Sequence, residues 1–369
     1  MKRILQIIDS MNIGGAQVLL MNVYRRINRD KIQFDFLLNT DKECFYNDEI
    51  KKLGGKIYTV SPRNQGIKKN KNALTNFFKE HHKEYSVVHQ HVSSLSYIEP
   101  LKIASEFKIP CRIIHGHSTQ QGGSKLHILL HYYNQRKIGY YATDFFACSF
   151  SVAMWLSKKK YDQFIIIKNG IEIEKYKFSP EIRKKVRTEL KISKDTFVIG
   201  HVGRFTEAKN HQFLLNIFYE LVKKCENVIL LLVGNGELYQ NIYKRAQELK
   251  IDKKIMFMGE QSDTSVLYQA FDFFVFPSLY EGLGISIIEA QCSGLRCFVS
   301  KDRVPDEVKI TDLVKFIPID SGIQIWIDEI LMQMQNRYNR IDQSSDVKDA
   351  QYDVKDITKE LQRIYLNKK

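Results

Sequence analysis

No apolar run in this 369-residue chain approaches the roughly 20 residues that a membrane-spanning helix requires. The opening Met1-Lys2-Arg3 leads into an amphipathic strand and a polar turn, not into the apolar core of a secretory signal, so a cytoplasmic location is expected. Cys44, Cys111, Cys148, Cys225, Cys292 and Cys297 contain no CxxC pair and scatter among apolar segments, which argues against a disulfide framework or a zinc site. No His/Asp/Glu spacing suggests another metal site. There is no GxxxxGK[ST] stretch, and Gly234-Asn235-Gly236 lacks the third glycine of a dinucleotide fingerprint, so P-loop and NAD chemistry are poorly supported. Low-complexity segments and short tandem repeats are also missing.

Acidic residues are scarce in the first half. Residues 1–170 hold 26 Lys+Arg against 13 Asp+Glu, whereas residues 171–369 hold 30 against 29, so the first half carries nearly all of the net charge of +14. Such asymmetry points to an acidic partner: an anionic membrane surface, a pyrophosphate-linked acceptor or nucleic acid. A lysine-rich solvated surface is the alternative. Nucleic acid fits the charge, but no recognition motif for it is present.

What the chain does contain is a repeated βα rhythm. With 44% hydrophobic residues it can bury ample core, and its length suggests two domains. Strands are expected at 4–8, 34–38, 56–60, 87–90, 112–115, 145–148 and 164–168, then at 197–202, 228–233, 255–258 and 273–276, with segments between them long enough for crossover helices. A parallel α/β architecture follows. The tail from Tyr352 to Leu366 places Val354, Ile357, Leu361 and Tyr365 at helical spacing.

The most informative stretch runs from Phe276 to Ala290. The apolar segment Phe271 to Phe276 reads as a buried parallel strand closed by Pro277, and glycines bend the backbone before an apolar helix begins. Glu281 then sits at the strand's carboxyl end, where open α/β sheets bind ligands. Backbone amides of Gly282, Leu283, Gly284 and Ile285 would face an anion from a helix start, and Glu289 could reach a second part of the same ligand. This is the layout of a sugar-nucleotide site. Departure of a nucleoside diphosphate leaves negative charge on phosphate, so fixed cations are needed. Arg204 and Lys209, after the strand at 198–202, are the candidates.

This stretch resembles the signature of glycosyltransferase family 4. The likeness continues in order through Gly14-Gly15-Ala16-Gln17, His115-Gly116-His117, Asn169-Gly170-Ile171-Glu172, Gly203-Arg204-Phe205 with Lys209-Asn210, Val233-Gly234-Asn235-Gly236-Glu237-Leu238 and Phe257-Met258-Gly259. It covers nearly the whole chain and is nearest to the capsular and exopolysaccharide branch. The implied fold is GT-B: two Rossmann-like domains facing across a cleft, with a final helix crossing back to the first. Residues 1–175 with the helix at about 351–369 would form the acceptor-side domain, and 176–350 the nucleotide-sugar domain.

The resemblance implies a retaining glycosyltransferase that needs no divalent metal or cofactor. It would move a sugar from a nucleoside diphosphate, UDP being expected, to a polysaccharide or a lipid-pyrophosphate-linked oligosaccharide. Peripheral contact with the inner face of an anionic membrane is also expected, and no role with nucleic acid. Glu281 would accept hydrogen bonds from the donor sugar and favour an oxocarbenium-like transition state, and Glu289 would hold the ribose. Gly14 and Gly15 would approach the donor diphosphate, and Gly234, Asn235 and Gly236 the nucleoside. His115 and His117 are both candidates for the acid–base or hydrogen-bonding group opposite the donor; a structural role is the alternative for each. Gln17 stands where the family often has Glu, and Arg296 where Pro is common. A catalytically silent GT-B subunit that binds a partner or membrane is the competing function.

Overall fold

A computed structural model describes residues 1–119, 124–336 and 339–368. The chain divides into two compact units, one made of Met1–Gly170 with Val354–Lys369 and one of Ile171–Asp353. Lys369, counted with the final helix in the sequence expectation, lies outside the described residues.

Unit 1 is built on seven parallel strands: β1 (Lys2–Ile8), β2 (Ile32–Leu38), β3 (Ile57–Thr59), β4 (Val87–Val92), β5 (Cys111–Gly116), β6 (Asp144–Ala147) and β7 (Ile165–Ile166). Their order in the sheet is β3-β2-β1-β4-β5-β6-β7. Every residue of β2 is buried, the pattern of a strand covered on both faces rather than of a half-exposed one. The closing helix Val354–Asn367 buries Val354, Ile357, Leu361, Ile364 and Tyr365 in the same core as Ile4, Phe34, Phe36 and Phe146. These positions recur at helical spacing, so one face of that helix packs on the sheet while Lys355, Asp356 and Lys359 stay outside.

Unit 2 has six parallel strands: β8 (Phe197–Val202), β9 (Val228–Val233), β10 (Ile255–Phe257), β11 (Phe273–Phe276), β12 (Arg296–Ser300) and β13 (Val314–Ile317), in the order β10-β9-β8-β11-β12-β13. β12 and β13 are additions to the expected set. The Gly294 to Cys297 segment reads in the sequence as a turn only, yet Gly294, at φ +67, ends the preceding helix so abruptly that Arg296 already pairs with Phe273. Leu214, Leu215, Phe218 and Leu221 of helix His211–Lys224 pack with Leu230, Leu232, Trp326 and Ile330 in the core.

Both sheets are doubly wound: the chain builds outward on one side of its first strand, then returns to the other. The order reverses between β1 and β4 in unit 1 and between β8 and β11 in unit 2. Loops leaving the carboxyl ends of such a strand pair diverge and open a crevice for ligands.

Candidate active site

In unit 2 the two loops at this reversal are Gly203–Asn210, after β8, and Pro277–Gly284, after β11. They are tied by Leu279 N–H donating to the Ala208 carbonyl at 2.8 Å. Across that tie the Lys209 ammonium donates to Glu281 Oε1 at 2.6 Å and lies 4.6 Å from the centre of the Phe276 ring. Both charged side chains are mostly shielded from water, so each strongly orients the other. Lys209 is thus paired with a carboxylate rather than being a solitary phosphate cation, a refinement of its expected role. Arg204 is exposed on the same loop.

Gly282, Leu283 and Gly284 are buried in the turn, and Gly284, at φ +84, precedes the helix Ile285–Cys292. Gly234, Asn235 and Gly236 follow β9 and press against the β8 loop. Phe205 N–H donates to the Asn235 carbonyl at 2.9 Å, and a Cβ on Gly234 would fall 2.1 Å from the Gly203 carbonyl oxygen. Backbone contact therefore accounts for Gly234 without invoking a nucleoside; its φ of +134 likewise favours glycine.

Glu289 differs most from expectation. Only 8% exposed, it accepts hydrogen bonds from Tyr176 at 2.9 Å and from Tyr268 at 2.6 Å, one on each carboxylate oxygen. Burial raises its pKa to about 7, against the opposing pull of the two hydroxyls. A ribose would have to share or displace those bonds. Sequence reasoning missed both tyrosines, because Tyr176 lies 113 residues from Glu289 and neither belongs to a local motif.

Unit 1 offers different chemistry. β4 and β5 run parallel with His91 opposite His115, so His89, His91, His115 and His117 form a two-by-two grid of imidazoles on one sheet face. Ring centres are 4.0 Å apart for His115 and His117, and 4.2 Å for His89 and His91. Gly116, between two of them, has no room for a side chain: a Cβ would meet Leu156 Cδ1 at 2.5 Å. His89 joins His115 at 3.2 Å and the Tyr365 hydroxyl at 2.7 Å; His91 joins His117 at 2.8 Å and Gln6 Oε1 at 2.9 Å. Gln6 Nε2 completes the chain by donating to Tyr365 at 3.4 Å.

With this Gln6 orientation the hydrogen bonds run in one direction, from His117 through His91, Gln6, Tyr365 and His89 to His115. Burial pushes the pKa of His89, His91 and His115 well below 6.5, aided by neighbouring imidazoles, and lowers that of His117 to about 4, partly offset by Asn169. All four are neutral at pH 7. His115 is 1% exposed with Phe146 edge-on to its ring, so it is not placed to touch a ligand; His117, just beyond β5, is partly exposed. One ring nitrogen from each of His89, His91 and His115 lies within 4.8 Å of the others, a spacing that could hold a transition metal, a possibility that sequence spacing did not suggest.

Gly14 and Gly15 follow the loop that leaves the carboxyl end of β1 and open the helix Gly15–Arg26. Gly14 is extended, and a Cβ on Gly15 would meet nothing within 4 Å, so there is open space beside this backbone. Gln17 donates to the Ser10 carbonyl at 3.1 Å and closes the loop from within.

The profile of a family described as "Glycosyl transferases group 1" matches residues 182–322. EpsF of Bacillus subtilis (strain 168), a glycosyltransferase by name, is 32% identical over 344 residues, covering 89% of this chain and 87% of that protein. The capsular polysaccharide biosynthesis glycosyltransferase CapH of Staphylococcus aureus is 25% identical over 390 residues, covering 100% and 99%. Among solved structures, HepE of Anabaena in complex with UDP-glucose superposes with a TM-score of 0.77 at 19% identity, covering 99% of both chains. That likeness identifies the fold as GT-B.

Proposed function

The chain belongs to the glycosyl transferases of group 1, and from that premise we propose that it is a retaining, metal-independent enzyme of family 4. It moves a sugar from a UDP-sugar to a polysaccharide or lipid-pyrophosphate-linked oligosaccharide during bacterial surface polysaccharide synthesis. The observation that carries this reading is the Lys209–Glu281 pair at 2.6 Å, set at the reversal point of the unit 2 sheet. The name of CapH supports the polysaccharide context, and the UDP-glucose held by HepE supports the nucleotide.

In the proposed reaction the bond from the anomeric carbon to the β-phosphate oxygen breaks as the acceptor oxygen bonds to that carbon on the same face. The acceptor's proton passes to a donor phosphate oxygen, so UDP leaves protonated and no enzyme nucleophile is consumed. Glu281 stabilises the positive charge that develops at the sugar; Lys209, with Arg204 and the amides of 282–285, meets the growing phosphate charge. A thermal-shift panel of UDP-, GDP- and ADP-sugars, followed by proton NMR of the product, tests the reading. The expected result is a UDP-selective shift and a product with the donor's anomeric configuration. Stabilisation by none of the nucleotides, or an inverted product, overturns it.

One surface supports peripheral membrane contact. On the helices Lys125–Gln135 and Ile138–Tyr141, Leu126, Leu129 and Tyr140 are 63%, 66% and 78% exposed, beside exposed Tyr132, Tyr133, Lys125 and Arg136. His131 and Asn134 anchor the opposite face. No helix among the described residues is long and apolar enough to cross a membrane. Shallow, reversible docking of a basic, aromatic face on the inner surface of the cell membrane fits this arrangement. Flotation with anionic vesicles at low salt should exceed that with neutral vesicles and fall as salt rises; equal recovery rejects the docking.

A further inference from the structure

A cavity of about 330 Å³ opens in unit 1 at the point where the strand order reverses between β1 and β4. Its size lies at the low end of the range for small-molecule sites, about 300–1,000 Å³. Asp9, at the end of β1, Asn39, after β2, and His91, near the end of β4, contribute to its wall, with Arg63, Tyr97 and His127.

Arg63 distinguishes this cavity from an ordinary sheet-edge hollow. Its guanidinium carbon lies 4.8 Å from the centre of the Tyr97 ring, and among the described residues no carboxylate or carbonyl accepts from it. Tyr97 is fixed in turn: its hydroxyl donates to Asn70 Oδ1 at 2.8 Å, and Asn70, 2% exposed, donates to the Ser61 carbonyl at 2.7 Å and to Asn39 Oδ1 at 3.0 Å. A planar fork of N–H donors is thus held on an anchored aromatic face with its hydrogen-bonding capacity unspent, the arrangement that best suits a carboxylate or phosphate. Asp9 accepts from Asn39 at 3.3 Å, and the two together present acceptor and donor groups of the kind that sort sugar hydroxyls. His127 joins Ser94 at 2.9 Å, and Ser94 donates to Ser96 at 3.0 Å, so the far wall is also ordered and polar.

Resting on the reading of the chain as a glycosyltransferase, we propose that this cavity receives an anionic saccharide unit of the acceptor, with Arg63 on its carboxylate or phosphate and Asp9 and Asn39 on its hydroxyls. The neutral imidazole of His91 behind the cavity neither repels the anion nor competes with Arg63 for it. The excess of basic over acidic residues in this half of the chain would draw such an acceptor in.

The test uses the full chain saturated with UDP, so that phosphate sites in unit 2 are filled. Binding of methyl glucuronoside, glucose 6-phosphate and neutral methyl glucoside is compared by saturation-transfer NMR titration. At least one anionic sugar should bind about tenfold or more tightly than the neutral one, and Arg63→Gln should erase that preference while leaving the UDP thermal shift intact. Preference for the glucuronoside identifies a uronate in the acceptor; preference for the phosphate identifies a phosphorylated or pyrophosphate-linked sugar. Equal binding of charged and neutral sugars, or a preference that survives Arg63→Gln, overturns the proposal. Because the UDP shift is read in the same samples, failure of the cavity is separable from failure of the donor assignment.

Discussion

The sheets of units 1 and 2 share one winding rule, yet the reversal point of unit 2 holds a cation and a carboxylate 2.6 Å apart while that of unit 1 is backed by neutral imidazoles. Net charge divides the same way: unit 1, with its closing helix, holds 31 Lys+Arg against 15 Asp+Glu, and unit 2 holds 25 against 27. A site that must follow charge developing in a reaction benefits from ionised groups already fixed by each other. A site that binds an anionic partner can draw it with its overall field and hold it on a guanidinium such as Arg63, with neutral imidazoles behind. The difference between the units is one of chemistry on a common scaffold.

Acid should separate the units most sharply. His89, His91, His115, His117 and His131 of unit 1 are all held below their ordinary pKa by burial. Between the folded values and 6.5 the unfolded chain binds more protons, so stability is full above pH 6.5 and is lost as pH falls, at up to about 1.4 kcal/mol per pH unit for each histidine. In unit 2, His201 and His211 act in that direction, with pKa values of about 4 and about 2. Glu289 opposes them: raised to about 7, it stabilises the protonated fold, a contribution that is lost as pH rises through 7. Unit 1 should therefore lose more stability than unit 2 on acidification from pH 7 to 5. Calorimetry, with fluorescence of Trp326 in a Trp155→Phe variant reporting unit 2, compares the two losses. A larger acid-induced loss in unit 2 than in unit 1 contradicts the assignment of the buried histidines as neutral.

Next in size is the effect of Glu281→Gln, which keeps the shape and removes the charge facing Lys209. Loss of one transition-state electrostatic group corresponds to a rate lower by about 100- to 1,000-fold. Initial-rate measurement at saturating donor is the readout, with the UDP thermal shift as the folding control. Near-normal turnover in the folded variant would move the reaction's charge stabilisation away from the unit 2 loops.

How far the residues alone foretold these sites differs between the units for a physical reason. In unit 2 the key groups lie in short local motifs, so Glu281, Lys209 and the glycine turn were visible from spacing, although the pairing of Lys209 with Glu281 spans 72 residues and was not. In unit 1 the HxH pattern at 89–91 and 115–117 shows that each pair shares a strand face, but only the parallel register of β4 with β5 makes one grid of them. Tyr365, 276 residues from His89, could be recognised as a buried position of an amphipathic helix but not as a hydrogen-bond partner. The strands of the first domain were legible within a few residues. β12 and β13 were not, because short apolar segments near a helix end carry no periodicity of their own.

Glycines provide a smaller contrast. Gly234→Ala would force a Cβ to 2.1 Å from the Gly203 carbonyl at φ +134, so unit 2 should lose about 1–3 kcal/mol or more and its nucleotide loops should shift. Gly15→Ala adds a methyl group to open space in unit 1 and should change stability by less than about 0.5 kcal/mol. Thermal melts paired with donor KM values distinguish the two: a tolerated Gly234→Ala would show that the tight loop contact is dispensable. A stable Gly15→Ala with raised KM would mark the open space as a ligand's.

The smallest expected effect is that of metal removal, and it bears on both units. On the proposed reading, the positive potential beside the diphosphate in unit 2 comes from Lys209, Arg204 and backbone amides, so no divalent ion is expected to be required. In unit 1 the nitrogens of His89, His91 and His115 are close enough for a metal, but the bonds to Tyr365, Gln6, His117 and between His89 and His115 already engage both nitrogens of His89 and His91. Binding an ion there would break that directional chain and bury a double positive charge without a carboxylate, a large desolvation cost. Dialysis against EDTA should therefore leave transfer within about twofold of the starting rate and the melting temperature unchanged, since neither unit then loses a fixed charge or a hydrogen bond. Stoichiometric zinc retained through purification, with a melting temperature that falls on its removal, would show that the imidazole grid is a metal centre. An absolute manganese requirement without such zinc would instead show that the unit 2 loops do not supply the charge on their own.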